Sequence, residues 1–221
     1  MAPNYRRACE SGAVQVKDNC CYTLVQQLRA TISGVPFMPI TSARGTGFMT
    51  MHHEYKTMTC PFTGAEIALV PALKPDVAIL HAHMGDAHGN LYIEGPPVAD
   101  VLFAKASAKV LATVEQLVST EQISEKGVTI PYFYVTAVAE VPYGAHPTSC
   151  YPLYAYDRPH TETYYAAAQK GQQAFRENYL DQYVFGCTSH DQYLDKVGGD
   201  KTLNRLADWR AGRQQWMELY A

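Results

Sequence analysis

Between Leu73 and Glu94 the chain reads L-K-P-D-V-A-I-L-H-A-H-M-G-D-A-H-G-N-L-Y-I-E. The unbroken apolar run Val77-Ala78-Ile79-Leu80 behind a Pro-Asp start predicts a central strand buried on both faces of a parallel sheet. Gly85, Asp86, Gly89 and Asn90 then supply turn chemistry before Leu91-Tyr92-Ile93. A second apolar run, Lys109 to Val114, predicts another buried strand, and Ile67 to Val70 is a shorter run of the same kind. Tyr132 to Val141 is β-rich, with Val135, Ala137 and Ala139 alternating against their neighbours. Pro97 to Ala108 places Val98, Val101, Leu102 and Ala104 to Ala108 at the spacing of a helix with one buried face. Strand, helix and strand in this order predict βαβ units, an α/β fold and a mostly parallel or mixed sheet with flanking helices.

The flanks read differently. Pro3 to Glu10 predicts a helix stopped by Ser11-Gly12, Ala13 to Val16 a short strand, and Thr23 onward a helix that ends at Gly34 and Pro36. Val35 to Met51 reads as a loop stiffened by two prolines. Pro142 to Asp157, with three prolines and four tyrosines, reads as an ordered aromatic loop. From His160 to Ala221 the pattern is helical, with turns near Gly186 and Gly198-Gly199 and an apolar stripe of Leu203, Leu206, Trp209, Trp216 and Leu219. The expected organisation is an α/β domain over 1–158 and a helical extension over 159–221 that packs on the same domain.

Chemistry concentrates beside the central strand. His81 and His83 are two apart, so on a strand they share a face, as paired metal ligands require. The run H-A-H-M-G-D-A-H has a superficial likeness to the H-x-H-x-D-H ligand run of metallo-β-lactamase-like hydrolases. Asp86 falls one residue late, however, and Ala87 separates it from His88. The competing reading makes His81 and His83 hydrogen-bonded wall or core residues, Asp86 a turn cap, and Asn90 a residue tolerating left-handed backbone; no metal site is expected. In the Val35–Met51 loop, Gly45 and Gly47 let the backbone approach a ligand, while Ser42, Arg44 and Thr46 offer contacts to a phosphate or carboxylate. Glu115, at the carboxyl end of its strand, reads as a cap rather than a catalytic carboxylate. His146, beside Gly144-Ala145, is the histidine best placed to touch a substrate or partner, or else to shape its loop.

Composition narrows the function classes. The 221 residues are 47% hydrophobic and 18% charged, enough for one good core. A formal charge of -3 with scattered Lys and Arg gives no footprint for nucleic acid or an anionic membrane. With no spanning-length apolar run and no signal-peptide core at M-A-P-N-Y-R-R, the expected location is cytoplasmic. The six cysteines show no C-x-x-C spacing and are expected to be reduced.

Several ordered segments carry a resemblance: A-P-N-Y-R-R-A (Ala2–Ala8), G-V-P-F-M-P (Gly34–Pro39), C-P-F-T-G (Cys60–Gly64), Pro71 to Asn90, and V-P-Y-G-A-H-P-T-S (Val141–Ser149). Together they resemble the α subunit of family I CoA-transferases, of the type found in glutaconate CoA-transferase, over nearly the whole chain. The resemblance implies the CoA-transferase (NagB/RpiA-like) fold, an obligate β-subunit partner in a hetero-oligomer, and acyl-CoA and carboxylic acid substrates, with coenzyme A as substrate and no cofactor. It further implies that the nucleophile is a glutamate of the β subunit, so that no catalytic residue is expected here; the residues expected to bind substrate or CoA are Ser42, Arg44, Gly45, Thr46, His83 and His146. Relatives carry a G-x-G-G-like oxyanion loop upstream of the Ala2–Ala8 match. The resemblance therefore leads to the expectation that Met1 is an internal methionine of a longer frame or that the chain is a shortened subunit. Cys20-Cys21-Tyr22-Thr23 stands where relatives carry glutamine or glutamate followed by Gly-Thr. The α chain of a ring-opening acyl-CoA hydrolase is the alternative within the family, and a metal-dependent hydrolase using the His81–His88 loop the alternative of another class.

Overall fold

The computed structural model of the chain describes residues 2–208. The chain falls into two compact units: Lys17–Glu140, and Met1–Val16 together with Val141–Ala221. This division differs in placement from the expected 158/159 boundary, because the aromatic loop and the first helix group with the C-terminal helices. Trp209, Trp216 and Leu219 of the expected stripe lie outside the described residues. Among the described residues no helix is long and apolar enough to cross a membrane.

The unit Lys17–Glu140 holds two sheets. Helix α2 (Cys21–Ile32) precedes an antiparallel sheet of β1 (Phe37–Ile40), β2 (Lys56–Thr59) and β3 (Glu66–Pro71), in the order β1-β3-β2, with a short helix α3 (Phe48–Met51) between β1 and β2. The stretch expected to be loop from Val35 to Met51 therefore contains β1 and α3. Pro39 obscured the strand, yet β1 is an edge, where a missing N–H leaves no partner unsatisfied. Ile40, Ala43, Tyr55, Ala68 and Val70 form this sheet's core.

The second sheet has the order β5-β4-β6-β7, built from β4 (Val77–Gly85), β5 (Leu91–Tyr92), β6 (Lys109–Leu117) and β7 (Ala137–Glu140). Strands β4, β6 and β7 are parallel and β5 is antiparallel to β4. Helix α4 (Asp100–Ala106) connects β4–β5 to β6, and α5 (Thr120–Lys126) leads toward β7. Helix α5 starts at a capping box in which Ser119 and Gln122 satisfy each other's backbone N–H groups. Pro131 sets a single 3₁₀ turn over Tyr132–Tyr134, so the predicted Tyr132–Val141 strand is confined to Ala137–Glu140.

Alternation decides which side of this sheet is covered. Ala78, Leu80 and Ala82 of β4 pack with Val110, Ala112 and Val114 of β6, Leu91, Ala104 and Ile130 in one core. The opposite face carries Val77 (46% exposed), Ile79 (79%) and Leu111 (43%). The expectation of a strand buried on both faces is thus corrected. A run apolar at every position states what both faces of a strand tolerate, and says nothing of whether a layer covers each.

In the other unit, α1 (Pro3–Glu10) begins with Pro3 in its first turn and ends at Ser11, with Gly12 at φ +72°. Ala13 to Val16 is not the predicted strand; Val14 N–H turns back to the Ala8 carbonyl at 3.3 Å. Helix α6 (Arg158–Gln169) receives α1, whose Arg7 guanidinium donates to the Ala168 carbonyl at 2.6 Å. Then come α7 (Gln172–Phe175), a π-helical stretch Arg176–Val184, α8 (His190–Lys196) and α9 (Gly199–Ala207). Leu206 packs with Cys150 and Tyr154, and Tyr143 and Ala145 border that cluster.

Candidate functional site

In open α/β sheets, ligands bind at the carboxyl ends of the parallel strands. Here that edge is where β4 and β6 finish, and it is lined by side chains whose placement follows from period-2 geometry. His81 and His83 lie on one face of β4, as expected. The parallel register sets His81 beside Thr113 of β6. His81 Nδ1 meets the Thr113 hydroxyl at 2.8 Å and Nε2 meets Glu115 Oε1 at 2.5 Å. A carboxylate only accepts, so the Nε2–H donates to Glu115. Glu115 thus lies within β6 as the hydrogen-bond partner of His81, not as the cap it was expected to be. A sequence signal for this existed: Thr113 and Glu115 repeat in β6 the two-residue spacing of His81 and His83 in β4.

His83 is buried and its Nδ1 accepts the Glu94 N–H at 3.1 Å, which places its ring proton on Nε2. Asp86 is fully buried and accepts from His88 N–H (3.0 Å), Asn90 N–H (2.9 Å) and the Asn90 side-chain amide (2.7 Å). Burial by itself raises this carboxyl, but the bonds from Asn90, Thr120 and His88 outweigh it and hold it below the ordinary aspartate value. Asp86 is the turn cap it was read as. The left-handed residue of the turn is Gly89, at φ +100°, and not Asn90, whose side chain instead joins Asp86 and accepts the Tyr132 N–H. Among the described residues His81, His83, Asp86 and His88 do not converge as a group of metal ligands. The missed spacing accounts for this: Asp86 turns inward to cap while His88 is exposed.

The second cluster of candidates, Ser42 to Thr46, is an exposed turn between β1 and α3. Gly45 takes φ +72°, Thr46 Oγ1 donates to the Ala43 carbonyl at 2.6 Å, and the Arg44 guanidinium donates to the Glu66 carbonyl at 2.9 Å. The turn presents a cation and a hydroxyl at the surface, with Ala43 beneath buried in the small sheet's core.

His146 belongs to the other unit and is buried there. Its Nε2 donates to Asp157 Oδ2 at 3.2 Å, and the Tyr193 hydroxyl engages Nδ1 at 2.6 Å. Asp157 also caps α6 by accepting the His160 N–H, and Arg205 stands 3.6 Å away. Burial pushes Asp157 up, but His146, the His160 N–H and Arg205 together pull it below the ordinary value. His160 bonds the Tyr179 hydroxyl at 2.8 Å; its own burial, and then the nearby His146, lower it below the ordinary histidine value. Tyr179, desolvated among Tyr164 and Tyr183, is pushed up to about 12. His146 is therefore fully engaged inside a polar-aromatic network that shapes its loop. The chain reading missed this network. Its partners come from a loop, the helices α6, α8 and α9, and a π-helical stretch that no single periodicity connects.

Comparisons with known proteins agree with this architecture. The sequence profile of the family described as "Coenzyme A transferase" matches residues 1–141. The A chain of glutaconate CoA-transferase from Acidaminococcus fermentans is 31% identical over 222 residues, covering 92% of this chain and 69% of that one. The crystal structure of glutaconate coenzyme A-transferase from that organism superposes with a TM-score of 0.85 at 30% identity, over 93% of this chain and 70% of that chain. The crystal structure of a variant of the decarboxylase AibA/AibB matches with a TM-score of 0.72 at 39% identity, over 80% of this chain and 66% of that chain. An uncharacterized protein of Archaeoglobus fulgidus is 35% identical over 93% of this chain, which spans only 46% of it. The chain is thus about half the length of that relative and some two thirds of the others.

Proposed function

The chain belongs to the coenzyme A transferase family, and from that premise we propose that it is the α subunit of a CoA-transferase that moves CoA from an acyl-CoA to a free carboxylic acid. The observation that carries the reading is the likeness to glutaconate CoA-transferase over 93% of the chain at a TM-score of 0.85.

The proposed chemistry is covalent and ping-pong. In the first step a glutamate carboxylate on the partner β subunit would attack the thioester carbonyl and break the C–S bond, giving an acyl-glutamyl anhydride and CoA thiolate. The thiolate then attacks the glutamyl carbonyl, releasing the donor acid and leaving a glutamyl-CoA thioester. The acceptor carboxylate repeats the two steps in reverse. Every bond made to oxygen uses a carboxylate already present, so neither a cofactor nor a metal is called for. This chain's part is to bind and orient: the Ser42–Thr46 turn, with Arg44, Gly45 and Thr46, as the anion-facing group and His83 at the sheet edge, while His146 shapes the loop of its own unit. Hydrogen bonds to the developing oxyanion are worth ~10²–10³ in rate per donor.

The test is a trapping experiment on the chain isolated with its β subunit. Acyl-CoA plus hydroxylamine should convert one β-subunit glutamate to a hydroxamate, found by peptide mass spectrometry, with loss of transfer. Turnover of acyl-CoA without any glutamyl adduct would move the reading to the ring-opening hydrolase branch.

A further inference from the structure

The H-A-H segment ties β4 to both of its neighbours at once. From one face of the strand, His81 reaches β6 through Thr113 and Glu115 at 2.8 and 2.5 Å. His83 reaches the other way, accepting the N–H of Glu94 just beyond β5 at 3.1 Å. The β4–β6 ladder pairs Ala82 with Val114 and Met84 with Gln116, so His83 and Glu115 are the positions between those two pairs. At that level the Glu115 carboxylate reaches one step back, to His81. The braces sit just before the strands end at Gly85 and Leu117, where Val118 N–H closes onto the Gly85 carbonyl at 2.8 Å. Both members of the His81–Glu115 pair are shielded, with side chains 15% and 9% exposed, which strengthens a charge-assisted bond that water would weaken. The Thr113 hydroxyl both donates and accepts, so His81 keeps its two partners whether or not Nδ1 carries a proton.

We propose that His81 is a positioning residue of the acyl-CoA site: braced between Thr113 and Glu115, it fixes the carboxyl ends of β4 and β6 and with them the His83 ring and the Asp86–Asn90 turn. It need not touch the substrate. Its effect is on the geometry of the edge at which the ligand binds, which the bare β-ladder leaves free to twist and shear. The proposal rests on the functional reading above, and its test separates the two.

Full-length chain isolated with its β subunit is compared with H81Q, E115Q and T113S, each checked for native far-UV circular dichroism. Steady-state kinetics with acetyl-CoA and glutarate as probes should show KM for acyl-CoA raised at least 5-fold in H81Q and E115Q, with kcat within 2-fold. T113S, which keeps the hydroxyl, should behave as the parent. Amide hydrogen exchange over 83–86 and 113–118 should quicken at least 10-fold in H81Q and E115Q; this readout needs neither substrate nor partner. Faster exchange with unchanged KM would reduce the brace to a structural tie and overturn the proposal, as would unchanged exchange. If the parent protein moves no CoA between these probes or other acyl-CoA and acid pairs, the functional reading fails and takes the positioning role with it, whatever the exchange data show for the brace.

Discussion

The two units handle buried polar groups in opposite ways. In Lys17–Glu140 two histidines, His81 and His83, stand on a β-ladder, and each bonds a group that the strand register or the next turn delivers: Thr113 and Glu115 to His81, Glu94 to His83. In the other unit His146, Asp157, His160, Tyr179 and Tyr193 come from a loop, a helix start, a π-helical stretch and a further helix; Asp157 accepts from His146 and from the His160 N–H, and Tyr193 and Tyr179 bond the two histidine rings. In the first arrangement the backbone pairing persists when a side-chain partner is lost, so the fold survives while the strand ends loosen. The second has no ladder beneath it, and Asp157 is its common acceptor. Polar networks of that kind are either complete or costly.

The sharpest way to break this contrast is Asp157→Ala. It removes the acceptor of His146, the cap of α6 and the counter-charge of Arg205 together. Leaving those groups unpaired should cost about 3–5 kcal/mol in denaturant unfolding, with faster hydrogen exchange over 141–208. A loss below about 1 kcal/mol would mean that the network is not centred on Asp157.

A packing change in the sheet should cost less. At Gly85 an added methyl would sit 2.9 Å from Val114 Cγ1 and 3.3 Å from Val138 Cγ2. Gly85→Ala should therefore destabilise by about 2 kcal/mol through overpacking. A neutral result would show that β4 and β6 separate freely at their carboxyl ends, contrary to the brace.

The pH dependence sharpens the comparison further. Folding holds His160 below its unfolded value, chiefly by burial and then by His146, with Asp157 acting the other way. The groups facing it are His146, Asp157, Tyr179, Tyr183 and Tyr193. Below its ordinary value near 6.5 the unfolded chain binds a proton at this site that the folded chain refuses. Its stabilisation is thus complete above that value and is lost as pH falls toward the lower folded one. Asp157, also held low, keeps its full contribution above its ordinary value near 3.8 and loses it only as pH falls below that, outside this window. Thermal unfolding should show a lower midpoint at about pH 5.5 than at about 7.5, and His160→Gln should flatten that dependence. An unchanged slope in the variant would assign it to another group.

The smallest effect is expected in the aromatic loop. Tyr154 is 2% exposed and its hydroxyl accepts the Ala145 N–H, whereas Tyr151 is 63% exposed. Tyr151→Ala should stay within about 0.5 kcal/mol of the parent in stability while weakening association with the β subunit. Unchanged association would make that side chain an ordinary surface residue.

What the chain disclosed in advance follows from the same contrast. Period-2 and period-3.6 patterns located β4, β6, α2 and the C-terminal helices, and the Asp86 cap followed from turn chemistry. They did not say that Ile79 and Leu111 face outward, because coverage is a property of what lies opposite and not of the strand. They hid β1 behind Pro39, whose cost depends on edge or centre. The His81–Glu115 pair, separated by 34 positions, needed the register of two strands, and the Asp157 network needed the packing of a loop against several separate helical segments. Neither relation is local in sequence.

The central claim, that CoA passes between carboxylates without water, is tested most directly by turnover in oxygen-18 water. The chain with its β subunit, given acyl-CoA and an acceptor acid, should release a donor acid without solvent label, because its new oxygen comes from the glutamate and ultimately from the acceptor. Incorporation of one solvent oxygen per turnover would contradict the account and identify a hydrolase.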